Sequence, residues 1–97
     1  MMTFLITWQL HQGKLHPTLA HFSQLSEEQD QAMMGEHIKM IGRWHDLASG
    51  TGVAICESDS IEAISAYALK WNSDMDISVQ AVVDDEQAKT LGSQLLV

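Results

Sequence analysis

The chain has 97 residues, with 13 acidic against 5 basic side chains and a net charge of −8 at neutral pH. Because proteins bind nucleic acids and anionic membranes largely through lysine and arginine, this charge argues against both partners. The length suits one domain, residues 1–97, and the single cysteine, Cys56, excludes an internal disulfide and favours a reducing compartment. With no basic leader and no long apolar run, we expect a cytoplasmic protein.

The first half of the sequence predicts a strand, two helical segments and a second strand. Residues 3–9 alternate in the manner of a half-buried strand. Leucines and a phenylalanine follow at helical spacing, and Pro17 suits the first position of a helix. Ser26, with a glutamine three residues later, has the form of a capping box that opens a second helical segment, and Gly35 suits its end. Residues 37–46 form the second strand.

The second half predicts two more strands and two more helices. Residues 48–52 form a hairpin loop before a third strand over residues 53–57. Ser60, or the aspartate before it, caps a helix with an apolar stripe. A fourth strand covers residues 76–83. The acidic residues 84–86 then open a last helix, as the helix dipole favours.

This order predicts an α+β ferredoxin-like fold, βαββαβ with a C-terminal helix, in which helices cover one face of a four-stranded antiparallel sheet. By strand alternation, the more apolar face should meet the helices; it carries Phe4, Ile6, Met40, Val53, Ile55, Ile77 and Val79. The opposite face is half apolar and carries Thr3, Leu5, Thr7, Ile41, Arg43, His45, Ala54, Cys56, Gln80 and Val82. We expect a second copy of the chain to cover it, which predicts a homodimer.

Over nearly its whole length the sequence resembles an uncharacterised bacterial family of short proteins, a domain-of-unknown-function family (number 3303). The residues that carry the resemblance are Thr7-Trp8, Ile41-Gly-Arg-Trp-His45, Glu57 and Val82-Val-Asp-Asp85, and Gly-Arg-Trp-His is the most distinctive of them. The resemblance implies a dimeric α/β barrel, the variant of the ferredoxin-like fold found in small cofactor-free monooxygenases, muconolactone-isomerase-like proteins and stress-responsive barrel proteins. It implies no particular activity, because fold analogy does not choose among these chemistries.

Two polar residues on the second strand are the main candidates for function. Arg43 and His45 are two residues apart and so share a face. Arginine can hold a carboxylate or phosphate, and histidine can act as a general acid or base near neutral pH. We predict that both bind a small anionic metabolite in a cavity on the open sheet face, with His45 as the catalytic group and with Thr7, Cys56 and Gln80 in the wall. The alternative is structural: Arg43 pairs with a carboxylate, and His45 forms a hydrogen bond at the strand end.

Trp44 and Glu57 are lesser candidates. Trp44 suits core or interface packing, and as a ligand wall it would offer an aromatic surface. Alternation places Glu57 on the helix side, and a bulge near Gly52 would bring it to the open face.

Histidine spacing and the single cysteine predict no metal site, and no cofactor motif is present. The sequence thus leaves two classes of function open. One is a small-molecule-binding protein or a cofactor-independent enzyme, and the other is a non-catalytic dimeric interaction or regulatory module.

Overall fold

The computed structural model describes residues 1–96. Its elements, in chain order, are β1 (Met2–Leu10), α1 (Leu15–Ser23), α2 (Glu27–Met34), β2 (Lys39–Asp46), β3 (Thr51–Ser58), α3 (Ile61–Leu69), β4 (Met75–Val82), α4 (Asp85–Ser93) and a 3-10 turn (Gln94–Leu96). The strands lie in the order β2-β3-β1-β4, and every neighbouring pair is antiparallel. The predicted ferredoxin-like order with a C-terminal helix is confirmed. Within residues 1–96, the helices are too short to cross a bilayer.

Local capping begins and ends the helices largely as the sequence predicted. The Ser26 hydroxyl accepts from the backbone N–H of Gln29, whose side chain accepts from the backbone N–H of Ser26. Gly35 ends α2 with a φ of 82°, a conformation that favours glycine. Ser60 caps α3 by accepting from the backbone N–H of Ala63. These contacts satisfy backbone groups that a helix end leaves unpaired.

Strands β1, β3 and β4 differ from their predicted bounds by one or two residues at an end, and two other boundaries bear on the packing. Helix α1 begins at Leu15, so that Pro17 is its third residue rather than its first; a proline is tolerated there because the first four N–H groups of a helix have no intrahelical acceptor. Strand β2 begins at Lys39 rather than at residue 37, and Ile38, buried in the preceding loop, joins the core.

The orientation predicted for β3 was wrong. Phe4 of β1 faces the helices and pairs with Cys56, so Cys56 and Ala54 face the helices as well. Val53 and Ile55, which were expected there, lie on the open face. Because β3 is apolar on both sides, hydrophobicity alone could not separate its faces. The small residues Ala54 and Cys56 lie beneath the helices, fully packed into the core.

A bulge in β2 reverses the alternation of that strand. The register with β3 shifts between Met40 and Gly42, so that Ile41 is an extra residue. Met40 faces the helices, and so does Arg43, which pairs with the core residue Ala54 although it is three positions beyond Met40. A regular strand would have put these two residues on opposite faces.

The prediction that Arg43 and His45 project from the open face was therefore wrong, because it assumed an unbroken strand. Both side chains point to the helices, and Trp44 takes the open side. Helices α1, α2 and α3 cover the other face, which holds most of the core. The core residues are Phe4, Ile6, Met34, Ile38, Ala54, Cys56, Ile64 and Tyr67.

Each of two tryptophans lies against a glycine of the β2–β3 hairpin, one on each face of the sheet. The indole of Trp8 covers Gly52, its cross-strand partner, on the helix side, and the indole of Trp44 covers Gly42 on the open side. A methyl group on either glycine would collide with the ring above it.

We expect Gly52→Ala to destabilise the chain by about 1–3 kcal/mol, since the added methyl must displace the half-buried ring of Trp8. Urea denaturation measures the change. Gly92→Ala is the matched control, because it adds the same methyl in open space on a helix and should be neutral or slightly stabilising. Equal effects of the two substitutions would contradict the packing argument.

Candidate binding site

A cavity of about 90 Å³ lies between the sheet and helices α1 and α3 and is partly open to solvent. Its wall is mostly apolar, and His45 and Arg43 are among its polar residues. The aromatic and aliphatic residues that shape it include Trp8, Leu15, Leu19, Phe22, Ala68 and Trp71. An apolar cavity with a few converging polar groups is the usual form of a small-molecule site.

Arg43 is held in this wall by an ion pair with α2. Its Nη2 donates to Asp30 Oδ2 at 2.6 Å, and its Nη1 donates to the Tyr67 hydroxyl at 3.1 Å. The Tyr67 hydroxyl in turn donates to Asp30 Oδ1 at 3.4 Å. The side chains of Arg43 and Asp30 are only 19% and 14% exposed, so the charges are largely removed from water. The three residues form a closed network that joins β2, α2 and α3.

The network affects the pKa values of Arg43 and Tyr67. Burial lowers the pKa of Arg43, but the hydrogen bond and charge of Asp30 and the influence of Tyr67 outweigh it, so the pKa is raised. Burial also raises the pKa of Tyr67, although the charge of Arg43 opposes this shift. At neutral pH Arg43 therefore keeps its charge, and the phenol of Tyr67 keeps its proton.

The ring of Phe22 links Arg43 to its neighbour His45. The guanidinium carbon of Arg43 lies 4.8 Å from the centre of the Phe22 ring, a cation–π contact. The imidazole of His45 lies between Phe22, at 5.2 Å between ring centres, and Trp8, at 5.5 Å. Partial desolvation, together with the charge of Arg43, lowers the pKa of His45. The imidazole is therefore mainly neutral at pH 7, and it makes no hydrogen bond to another residue in the range 1–96.

A second polar group in the wall lacks an acceptor. The indole N–H of Trp71 is buried and makes no hydrogen bond with residues 1–96. It lies near the hydroxyl of Tyr67 and opposes part of the rise in the pKa of that phenol, but the two groups do not form a hydrogen bond. The indole thus retains an unused donor beside the cavity.

The other predicted site residues do not join this cavity. Thr7, Gln80, Trp44 and Glu57 lie on the open face of the sheet. Glu57 reaches that face through the register of β3 rather than through a bulge near Gly52. Cys56, expected on the open face, is completely buried in the core, and burial raises the pKa of its thiol, so it is not placed as a nucleophile.

The groups that complete the site around Arg43 were missed. Tyr67 follows Ile64 by three residues on α3, and this spacing could have placed its ring toward the sheet. Asp30 gives no such signal, because it looks like any acidic residue in the first turn of a helix. The structural alternative for Arg43, pairing with a carboxylate, is what the structure shows. Within the described residues 1–96, no three histidine, cysteine or acidic side chains are grouped as a metal site.

We expect Asp30→Asn to lower the free energy of unfolding by about 2–3 kcal/mol, because it leaves the largely buried charge of Arg43 without its carboxylate. Asp76→Asn removes a carboxylate from an exposed pair with His11 and should cost less than about 0.5 kcal/mol. Urea denaturation at pH 7 measures both. Similar losses of stability in the two variants would show that solvent, rather than Asp30, compensates the charge of Arg43.

His45 should make stability fall in mild acid. Its pKa is lower in the folded chain than the ordinary value of about 6.5, so the unfolded chain takes up the proton more readily. The free energy of unfolding should therefore decrease as the pH drops below about 6.5 and level off below the folded pKa. Denaturation at pH 7.5 and 5 should show a smaller decrease for His45→Gln than for the natural chain. An equal decrease in the two proteins would contradict this assignment.

Three solved structures are similar to this chain to different degrees. An antibiotic biosynthesis monooxygenase aligns with a TM-score of 0.57 and 14% identity, over 87% of this chain and 98% of its own. An L-rhamnose mutarotase from Formosa agariphila aligns with a TM-score of 0.48 and 11% identity, over 84% and 93% of the two chains. An uncharacterised NIPSNAP domain protein from Burkholderia xenovorans also gives 0.48 and 11%, over 88% and 97%.

At such low identity, the likeness to the antibiotic biosynthesis monooxygenase shows the fold alone. No curated protein matches the chain at a significant level. The family model described as a domain of unknown function (DUF3303) matches residues 2–96. The resemblance drawn from the sequence is thereby confirmed, and the chain belongs to the DUF3303 family.

Proposed function

We propose that this protein binds a small, uncharged, largely apolar molecule in the cavity between the sheet and the helices, with His45 as its hydrogen-bond acceptor. One observation carries the proposal: the neutral imidazole of His45, which has no hydrogen-bond partner among residues 1–96, lies at the solvent-exposed edge of a mostly apolar wall. The unprotonated ring nitrogen of His45 can accept a hydrogen bond from a hydroxyl or N–H group of a bound molecule.

The charge of the wall favours a neutral ligand over the small anionic metabolite that the sequence suggested. That expectation required an isolated cation, whereas Arg43 is paired with Asp30 at 2.6 Å. An anion would gain the attraction of Arg43 but meet the repulsion of the carboxylate beside it. Arginine has five N–H donors, and Arg43 uses one for Asp30 and one for Tyr67. It can therefore still donate to an uncharged oxygen.

The volume limits the size of the molecule. One water needs roughly 10–15 Å³ of such space, so a cavity of about 90 Å³ holds roughly six to nine groups of that size. A single aromatic ring with one or two substituents meets this limit. The aromatic residues Trp8, Phe22 and Trp71 offer ring faces and edges for such a molecule.

Catalysis without a cofactor is the second candidate, and the lowered pKa of His45 is the observation that favours it. A neutral imidazole at pH 7 can act as a general base and take a proton from an acidic O–H of the bound molecule. The fold shared with an antibiotic biosynthesis monooxygenase is compatible with a catalytic protein. The binding role is the simpler proposal, because it needs only the cavity and the acceptor.

We also propose that the protein assembles as a homodimer through the open face of the sheet. Apolar side chains on that face, including Leu5, Trp44, Val53 and Ile55, have no helix over them. An uncovered apolar sheet face of this size usually marks an interaction surface. The non-catalytic interaction module remains the alternative in which this face alone has a function.

The ligand proposal is tested with 4-fluorophenol, a one-ring probe with a hydroxyl donor. We expect it to bind with a dissociation constant of about 1 mM, as suits eight non-hydrogen atoms. Fluorine NMR titration should show loss of binding in Ala68→Leu, whose larger side chain fills the cavity. Trp44→Phe, which changes the opposite face, should bind like the natural chain.

Far-UV circular dichroism and thermal unfolding confirm that both variants are folded. Absence of binding to the natural chain at 10 mM probe, a concentration about tenfold above the expected constant, would contradict the proposal. So would equal binding to the folded Ala68→Leu variant. Native mass spectrometry of freshly purified protein then identifies any bound small molecule by its mass.

A further inference from the structure

The C-terminal arm, defined as residues Val83–Leu96, packs against little else among residues 1–96. Every residue of the arm is exposed, and helix α4 makes its contacts with the turn that follows it. The Cα radius of gyration is 15.6 Å, whereas a compact chain of this length has about 12.5 Å. The longest dimension is 54 Å against 29 and 18 Å for the others. The arm therefore projects from the body.

The arm has the pattern of a helix that packs against something. Ala88, Leu91 and Leu95 recur at the spacing of one helix face, and both leucines are exposed. Asp84 and Gln87 cap the start of α4 with a reciprocal pair of hydrogen bonds. A helix of nine residues is nevertheless marginal in water without tertiary packing. Its apolar face needs a surface that the chain itself does not supply.

The open face of the sheet needs the same kind of cover. Four strands of eight or nine residues present about 500 Å² in projection, at roughly 4.8 Å between strands and 3.3 Å per residue. A stable interface between proteins buries about 800 Å² on each partner. The projected open face is of the order of that area, and an arm that adds its apolar side enlarges the contact.

We infer that the arm of each copy packs across the open face of a second copy, beside Trp44. This inference rests on the proposed homodimer and states which segment completes it. Two-fold symmetry lets both arms and both faces be covered at once. Trp44 is 57% exposed, and its ring is supported from below by Gly42. A rigid, exposed aromatic residue of this kind commonly anchors an interface.

Sedimentation equilibrium and light scattering test the role of the arm. The natural chain should form a dimer of twice 10.8 kDa at micromolar concentration. Leu91→Glu should raise the dimer dissociation constant by about tenfold or more, since it puts a charge into the buried contact. Ser93→Glu is the control, because it adds the same charge on the opposite side of α4.

The outcomes separate the two proposals. A natural chain that is monomeric throughout overturns both the homodimer and the arm exchange. A dimer that Leu91→Glu weakens no more than Ser93→Glu overturns the arm exchange and leaves the homodimer.

A spin label locates the arm directly. Ser93→Cys can be labelled selectively with a nitroxide, because Cys56 is completely buried. Labelled, isotope-free chain is mixed with unlabelled, ¹⁵N-enriched chain, so that broadening arises only between copies. The indole signal of Trp44 should broaden more than those of Trp8 and Trp71, which lie on the helix side of the sheet. Broadening of none of the three signals in a confirmed dimer overturns the inference.

Discussion

The ion pair between Arg43 and Asp30 is the interaction on which the arrangement of the site depends. It removes two charges from water, and an arginine buried there alone would cost several kcal/mol. The pair therefore constrains both partners: β2 must present Arg43 to the helices, and α2 must begin where Asp30 can reach it. The bulge at Ile41 meets the first condition, and the capping box at Ser26 fixes the start of α2 for the second.

That pairing also decides the chemical character of the cavity. Because Asp30 balances its charge, Arg43 acts as a fixed hydrogen-bond donor in the cavity wall. Its remaining electrostatic effect is to help keep His45 neutral. An imidazole that lies between two aromatic rings, near a compensated cation, is a base that is only partly removed from water. This explains why the same residues that suggested an anion site in the sequence support a neutral ligand in the structure.

Sequence reasoning recovered the fold because its signals are local. Alternation in β1 and β4, the capping box at Ser26 and the helix-ending Gly35 each act within a few residues, and together they fix the element order. The side of the sheet on which Arg43 lies depends on one inserted residue, for which Ile41 offers no signal of composition. Asp30 and Arg43 meet only through the packing of α2 on the sheet, which no local pattern encodes. The sequence was enough to propose Arg43 and His45 as site residues, but it was not enough to identify the residues that they contact.

Helix α4 was predicted correctly as a helix, yet its surroundings differ from those of the other three. Its capping and spacing are those of a packed element, while within residues 1–96 its main contacts are with the turn that follows it. A local pattern reports that a helix has an apolar face, and it does not report which molecule covers that face.

The two tryptophan–glycine contacts of the hairpin have an evolutionary consequence. Because the Trp8 ring fills the space above Gly52, substitutions at these two positions depend on each other. A larger residue at position 52 is tolerated only with a smaller residue at position 8, and the same holds for Gly42 with Trp44. Family members that diverge here should therefore have changed both members of a pair, and a lineage that kept the tryptophan should have kept its glycine.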